Sequence, residues 1–477
     1  MNQIQRSRLL NENDEDVPLN DMKSTPVDEP VIIQIASDEK TTQRRFLKWR
    51  RLVLTSLLVA YLAFFFVRSH ASITMPQILA STGLSKSQFG VVISFGFGAQ
   101  AVGKIVNGIL ADRKGGKLVL LTALHMSILI SALFAIVGYL HENRTPLAFD
   151  QLMTLFVILW SMNRFAQSAA WGAILKILPY WFHDGEYGRV MGLFALSYGY
   201  GDAMVRALLG AFAQIDSIRW YDVWWIGCLF AFVCGLPSFW LVLPSPTAIG
   251  CIPPTNKKQS KAKAAANGEE PPKSAWASMK ALFRSYQFWM IVFLYVGLTL
   301  IREAFNSWTT QFLTDHLALS NSEAAIASLT IPLFAATSAL IGGWLFDRLT
   351  ERRKELLPAV FLSVSLVALV AITICTHYDY DNVALNLFLL ACVSFGMETP
   401  YTLIDGVYTL KISGKNSPAL TVGIIQAAGN TGAIASGYLV GLIAETYGWS
   451  VLMALLSGLL AVLHLSTILA YIYSPQA

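Results

Sequence analysis

Charge is what this sequence has least of. Only 14% of its 477 residues are Asp, Glu, Lys or Arg, where a soluble protein carries roughly a quarter. Hydrophobic residues make up 55% and the mean hydropathy is +0.51. Catalytic signatures are missing as well: there is no Walker loop, no nucleophile elbow and no His/Glu metal motif. An ATP-driven pump is therefore disfavoured, no enzyme activity is expected, and no cofactor or metal is called for. The five cysteines, Cys228, Cys234, Cys251, Cys375 and Cys392, have neither metal nor disulfide spacing and read as ordinary membrane-core residues. No cleavable signal peptide is expected, because residues 1–45 are polar and acidic before the first apolar run.

Long apolar blocks take the place of charge. A bilayer core is about 30 Å thick and is crossed by about 20 helical residues. Inside it every backbone polar group needs a partner within the segment, which leaves helices or closed barrels. The blocks are continuous and do not alternate with period two, so they predict an all-α membrane protein of twelve transmembrane helices in two pseudo-symmetric six-helix bundles. The spans read as 51–75, 88–111, 117–140, 152–182, 189–213 and 221–243, then 285–313, 324–348, 355–376, 384–411, 418–443 and 449–474. The organisation is a disordered tail over 1–45, a bundle over 46–243, a linker over 244–284 and a second bundle over 285–477.

Lys and Arg in short loops set orientation. They gather before span one (Arg44, Arg45, Lys48, Arg50, Arg51), after span two (Arg113, Lys114, Lys117) and after span eight (Arg348, Arg352, Arg353, Lys354). The linker adds Lys257, Lys258, Lys261, Lys263 and Lys273. All lie on one face, expected to be cytosolic, as are both termini. The pI of about 8.8 thus reports topology, and no nucleic-acid partner is expected. The sequon at Asn143 falls on the opposite face. Arg8-Leu9-Leu10 resembles a dileucine sorting signal without its usual upstream acid, leaving plasma, endolysosomal, vacuolar and endoplasmic reticulum membranes open.

The two halves share a plan. Gly108 to Lys117 closes span two and Gly342 to Arg348 closes span eight, each with an Asp at the helix end beside a basic turn: Asp112-Arg113 and Asp347-Arg348. This is the latch pattern of the major facilitator superfamily. Arg68 precedes Asp112 by 44 residues and Arg302 precedes Asp347 by 45. Each arginine lies about 17 residues, roughly 25 Å, from the cytosolic start of its span. In duplicated transporters the substrate site lies near the midplane between the halves.

An Arg within a span is costly and faces a partner or a watery cavity. Its planar fork matches phosphate or carboxylate oxygens, so two facing forks could hold one dianion. The other reading is that each arginine pairs with a buried carboxylate. Glu303, next to Arg302, is expected to be a poor partner because adjacent helical residues point about 100° apart. Lys104, in span two, is either a pore-facing charge or a snorkelling one. Asp202 and Arg206, four apart, are expected to pair. Arg164 and Arg206 could instead enlarge the cationic site, Asp405 and Glu398 beside Pro400 could accept from Tyr or Arg or titrate, and Trp171 and Tyr198 are the best aromatic cavity candidates.

Phe66-Val67-Arg68-Ser69-His70-Ala71-Ser72-Ile73-Thr74-Met75-Pro76 resembles the first helix of the organophosphate:phosphate antiporters, a family that includes glycerol-3-phosphate, hexose-phosphate and glucose-6-phosphate transporters. The resemblance runs on through Leu84, Phe89-Gly90 and Lys104, then Asn163 to Trp171, Lys176 and Trp181-Phe182. It includes Pro244-Ser245-Pro246, Gly250 and Pro253-Pro254, and ends with Arg302, Trp308, Phe312, Gly432, Gly437, Gly441 and Tyr447-Gly448-Trp449. It covers about 48–474. It implies exchange of a phosphorylated solute for inorganic phosphate by alternating access, with Arg68 and Arg302 on the phosphate and Lys104 at the family's second-helix lysine. Departures at Ser168, Ala170, Gly172, Ala173 and Tyr198 concern the organic half of the substrate. Proton-coupled transport of a carboxylate or sugar acid, with Asp202, Glu303 and Asp405 as proton sites, and a transporter-fold receptor or sensor are the alternatives. The expected partners are a small anionic solute and the bilayer, with the protein a monomer.

Overall fold

The structure, a computed structural model, describes residues 29–144, 146–183, 186–215, 217–251, 282–413 and 418–472. The linker lysines, Thr145 of the sequon and the dileucine lie outside the described residues. Among those residues the regular elements are all helices. In the first half they are α1 (Glu29–Phe66), α2 (His70–Ile73), α3 (Met75–Thr82), α4 (Lys86–Lys114), α5 (Gly116–Asn143) and α6 (Phe149–Gln167). α7 (Ala169–Ile177), α8 (Tyr187–Phe212), α9 (Trp220–Gly235) and α10 (Ser238–Leu241) complete it. The second half has α11 (Tyr286–Leu317), α12 (Asn321–Ala327), α13 (Thr330–Arg348), α14 (Glu351–His377) and α15 (Val383–Leu403). A π turn over Ile404–Tyr408 leads to α16 (Thr409–Ser413), α17 (Pro418–Thr446) and α18 (Gly448–Ile472).

Ten helical segments among the described residues are long and apolar enough to cross a membrane. The fourth and fifth predicted spans are not among the ten. One is broken at Ser168 and the other carries Asp202 and Arg206 within α8; Arg164, Asp202 and Arg206 are all buried. Of the expected tail over 1–45, residues 29–45 are described and fall within α1, with Pro30 in the first turn, where its missing N–H is harmless.

Duplication is visible in the caps. Ser85 opens α4 through a capping box with Gln88, and Ser320 opens α12 through one with Glu323. The two serines are 235 residues apart, as are Asp112 and Asp347. In the first half the core centres on Phe134, stacked at 4.2 Å on Phe156 and at 4.3 Å on Trp224; such pairs add about 0.5–1.5 kcal/mol beyond burial.

The halves close on each other at the end farthest from the basic turns. α4 and α17 approach through glycines: a Cβ on Gly90 would lie 2.6 Å from the Gly437 carbonyl oxygen. The close approach lets Ser94 Oγ donate to the Ile434 carbonyl at 2.6 Å and accept from the Tyr438 N–H at 2.8 Å. Lys86 pairs with Asp315 at 2.6 Å. Glu445 accepts from the Ser87 N–H at 2.7 Å, a carboxylate at a helix N-terminus, where the dipole favours it.

Deeper in, Arg206 is 4% exposed and clasps both halves. It bonds Asp202 at 3.1 Å, the Ser328 hydroxyl at 3.0 Å and the Asn306 carbonyl at 3.2 Å. Asp202 in turn accepts from Ser69, and Ser72 donates to the Asn306 carbonyl at 2.9 Å. The expected Asp202–Arg206 pair is thus present, and it is also a strut between α8, the first span and the second half.

Arg206→Ala strands Asp202, and removing one member of a buried pair destabilises by about 3–5 kcal/mol. The melting temperature in detergent is expected to fall, and Asp202→Leu combined with Arg206→Met to recover most of it. Gly437→Val is expected to lengthen the distance between spin labels at positions 87 and 445.

Candidate functional site

A cavity of about 690 Å³ lies between the halves. It runs from Ile93 and Phe305 near the closed end to Gly108 and Leu175 toward the end bearing the basic turns. Three interruptions of regular helix surround it, and each places a polar side chain.

Arg68 occupies the first. The chain between α1 and α2 turns at Val67–Ser69, where the N–H groups of Arg68 and Ser69 both bond the Phe65 carbonyl, at 3.1 and 3.0 Å. Unwound backbone at membrane depth is tolerated where it lines a cavity and finds other partners, and Gln167 supplies one. Its Nε2 donates to the Val67 carbonyl at 2.9 Å, so its Oε1 faces Arg68 and accepts from Nε at 2.9 Å. Gln167 Nε2 also reaches Asn163 Oδ1. Asn163 is locked by the Ser127 carbonyl at 3.0 Å and Ser131 Oγ at 2.7 Å. A polar chain through three helices thus aims the Arg68 fork. Arg68 has no carboxylate partner among the described residues; its guanidinium also lies 5.1 Å from the Phe65 ring centroid.

The second interruption is Ser168, after α6. Ser168 Oγ donates to the Phe165 carbonyl at 2.7 Å, and Asn107 donates to both that carbonyl and Ser168 Oγ at 2.9 Å. One turn earlier, Arg164 is buried, donates to Gln100 at 2.6 Å and lies 4.9 Å from the Phe97 ring. It too meets no carboxylate among the described residues. Trp171, just past the break, lines the cavity and packs on Tyr61 and Phe194 at 5.9 and 5.8 Å.

The third is the π turn carrying Asp405. Pro400 sits five residues before it, and loss of the proline N–H loosens the ladder that the π turn re-registers. Gln426 donates to Asp405 at 3.1 and 3.3 Å. Lys104 lines the cavity from α4 and reaches Asn430 on α17 at 3.4 Å.

Arg302 differs from Arg68 in its helix and in its polar partners. It sits in unbroken α11 and its fork is occupied: Nη1 bonds Glu303 at 2.7 Å, Nε bonds Glu398 at 2.9 Å and Nη2 donates to Tyr198 Oη at 3.0 Å. The expectation that Glu303 would be a poor partner is corrected. The 100° between neighbours constrains Cβ directions, whereas both long side chains bend into the same cavity sector. Tyr401 lies flat beside it, 4.7 Å from ring centroid to guanidinium.

Asp112 pairs with Lys176 at 2.6 Å, joining the ends of α4 and α7. Arg113 lies in the last turn of α4 and Asp347 with Arg348 at the end of α13, the Arg348 guanidinium stacked 4.1 Å over Trp344. Gln100, Gln167, Gln426 and Asn430 were not singled out from the sequence as site residues, although an amide within an apolar span was the available signal.

Residues 57–409 match the Major Facilitator Superfamily. The chain is 24% identical over 450 residues to the "Membrane sensor protein UhpC" of Escherichia coli, covering 92% of this chain and 96% of that one. It is 22% identical over 431 residues to a "Probable hexose phosphate transport protein" of Chlamydia trachomatis, covering 88% and 90%. Among solved structures, a bacterial homologue of the human lysosomal transporter Spinster, in an inward-facing and unoccupied conformation, superposes with a TM-score of 0.69 at 15% identity, over 90% of this chain and 99% of that one. The fold, the match over most of the sequence and these relatives agree that this integral, multi-pass membrane protein belongs to the Major Facilitator Superfamily.

Proposed function

We propose that the protein is a secondary transporter that exchanges a phosphorylated metabolite for inorganic phosphate by alternating access. The observation that carries this reading is Arg68: a guanidinium at membrane depth, aimed by Gln167 into a cavity, with no carboxylate to answer it. A cation within a membrane span and without a counter-charge is costly unless it faces water or a partner that arrives from outside. Arg164 is in the same condition. Phosphate offers several oxygens to two planar forks, whereas a neutral solute offers neither charge nor bidentate acceptors. The relatives named as hexose phosphate transport proteins support the same substrate class.

Phosphate then binds to the wall formed by Arg68 and Arg164. Arg302 joins only by exchanging Glu303 or Glu398 for the ligand. With the basic turns cytosolic, the cavity opens to the cytosol and Arg206 belongs to the closed outer gate. Asp112, Arg113, Asp347 and Arg348 latch helix ends on the cytosolic face. Two other readings each have an observation behind them. Asp405, held by the neutral Gln426, suits a proton-coupled carboxylate transporter, and a relative named as a sensor suits binding without net movement.

Exchange in liposomes decides among them. External hexose phosphate is expected to drive labelled phosphate out of vesicles containing the purified protein, with no requirement for a pH gradient. Arg68→Gln is expected to reduce this by roughly 10- to 100-fold, the equivalent of about 1.5–3 kcal/mol for a charged hydrogen bond. Movement of a neutral sugar without phosphate, unchanged in Arg68→Lys, contradicts the proposal. Saturable binding with no flux selects the sensor.

A further inference from the structure

The two walls of the cavity carry opposite charge, and this segregation says something about the organic half of the ligand. On the first half stand Arg68 and Arg164, bonded to the neutral amides of Gln167 and Gln100. On the second stand Glu303, Glu398 and Asp405, of which two share the single guanidinium of Arg302 and the third is held by Gln426. Lys104 reaches across from the first half toward Asn430. Arg206 and Asp202 neutralise each other. With Arg302 and Lys104 counted against the three carboxylates, the second wall keeps one negative charge and the first wall two positive ones.

Unbalanced charge in a space that must be sealed from both sides of the membrane carries a desolvation penalty. A phosphomonoester dianion balances the first wall and leaves the second unanswered. A ligand with a dianionic phosphate at one end and an ammonium at the other balances both.

Building on the phosphate reading above, we propose that the organic substrate is a zwitterionic phosphomonoester, its phosphate on Arg68 and Arg164 and its cationic amine against Glu303, Glu398 and Asp405. Inorganic phosphate, the counter-substrate, engages only the cationic wall.

The test is competition for labelled-phosphate exchange by the reconstituted full-length protein, using a hexosamine phosphate, the hexose phosphate of the same skeleton, and the unphosphorylated hexosamine. The amine-bearing phosphate is expected to compete about tenfold better than its hydroxyl counterpart, the advantage of one charged hydrogen bond. The unphosphorylated hexosamine is not expected to compete. Asp405→Asn and Glu303→Gln are each expected to move the ratio of the two phosphates toward one. Equal competition by the two phosphates in the unsubstituted protein overturns the zwitterion and leaves the phosphate reading standing. A preference that survives both substitutions also overturns it. Failure of both phosphates to compete, or of phosphate itself to exchange, overturns the phosphate reading and this inference with it.

Discussion

A guanidinium placed half-way through a membrane protein has to be answered, and how Arg68 is answered organises much of this structure. Its Nε goes to an amide oxygen, which fixes direction without cancelling charge. That amide can serve only because its other end satisfies the Val67 carbonyl, freed where α1 stops. Asn163, Ser127 and Ser131 then hold the amide. Backbone, first-span turn and fourth-span polar residues form one unit, and substituting any member disturbs the aim of the fork.

The second half solves the same problem in the opposite way. Arg302 is met by two carboxylates and a phenol, so its charge is spent locally. Two halves built on one plan thus present a cationic wall and an acidic wall. Closure of the far end uses a third solution, glycine contact and a buried clasp. It keeps α4 against α17 and α8 against α13 while the cavity stays open toward the basic turns.

Much of this was legible in the sequence. Apolar runs gave the spans, matched spacing gave Arg68 and Arg302, and four-residue spacing gave Asp202 with Arg206. The latch turns and the run from Phe66 to Pro76 gave the family. What was not legible depends on tertiary partners. No Pro or Gly marks the break at Val67–Ser69, because it is Gln167, a hundred residues away, that makes the break tolerable. The Arg302–Glu398 pair is 96 residues apart in sequence, and the Arg302–Glu303 pair defeats a rule about Cβ directions that long side chains evade. The matched spacing of the two arginines said nothing of what each would meet.

That asymmetry is the central claim, and it can be seen directly. A structure of the protein soaked with arsenate, located by its anomalous scattering, shows which arginine holds the tetrahedral anion. The expected arsenic peak lies within hydrogen-bonding reach of Arg68 and Arg164, with the Arg302–Glu398 pair intact. A peak centred on Arg302, with Glu303 and Glu398 displaced and Arg68 uninvolved, would contradict it.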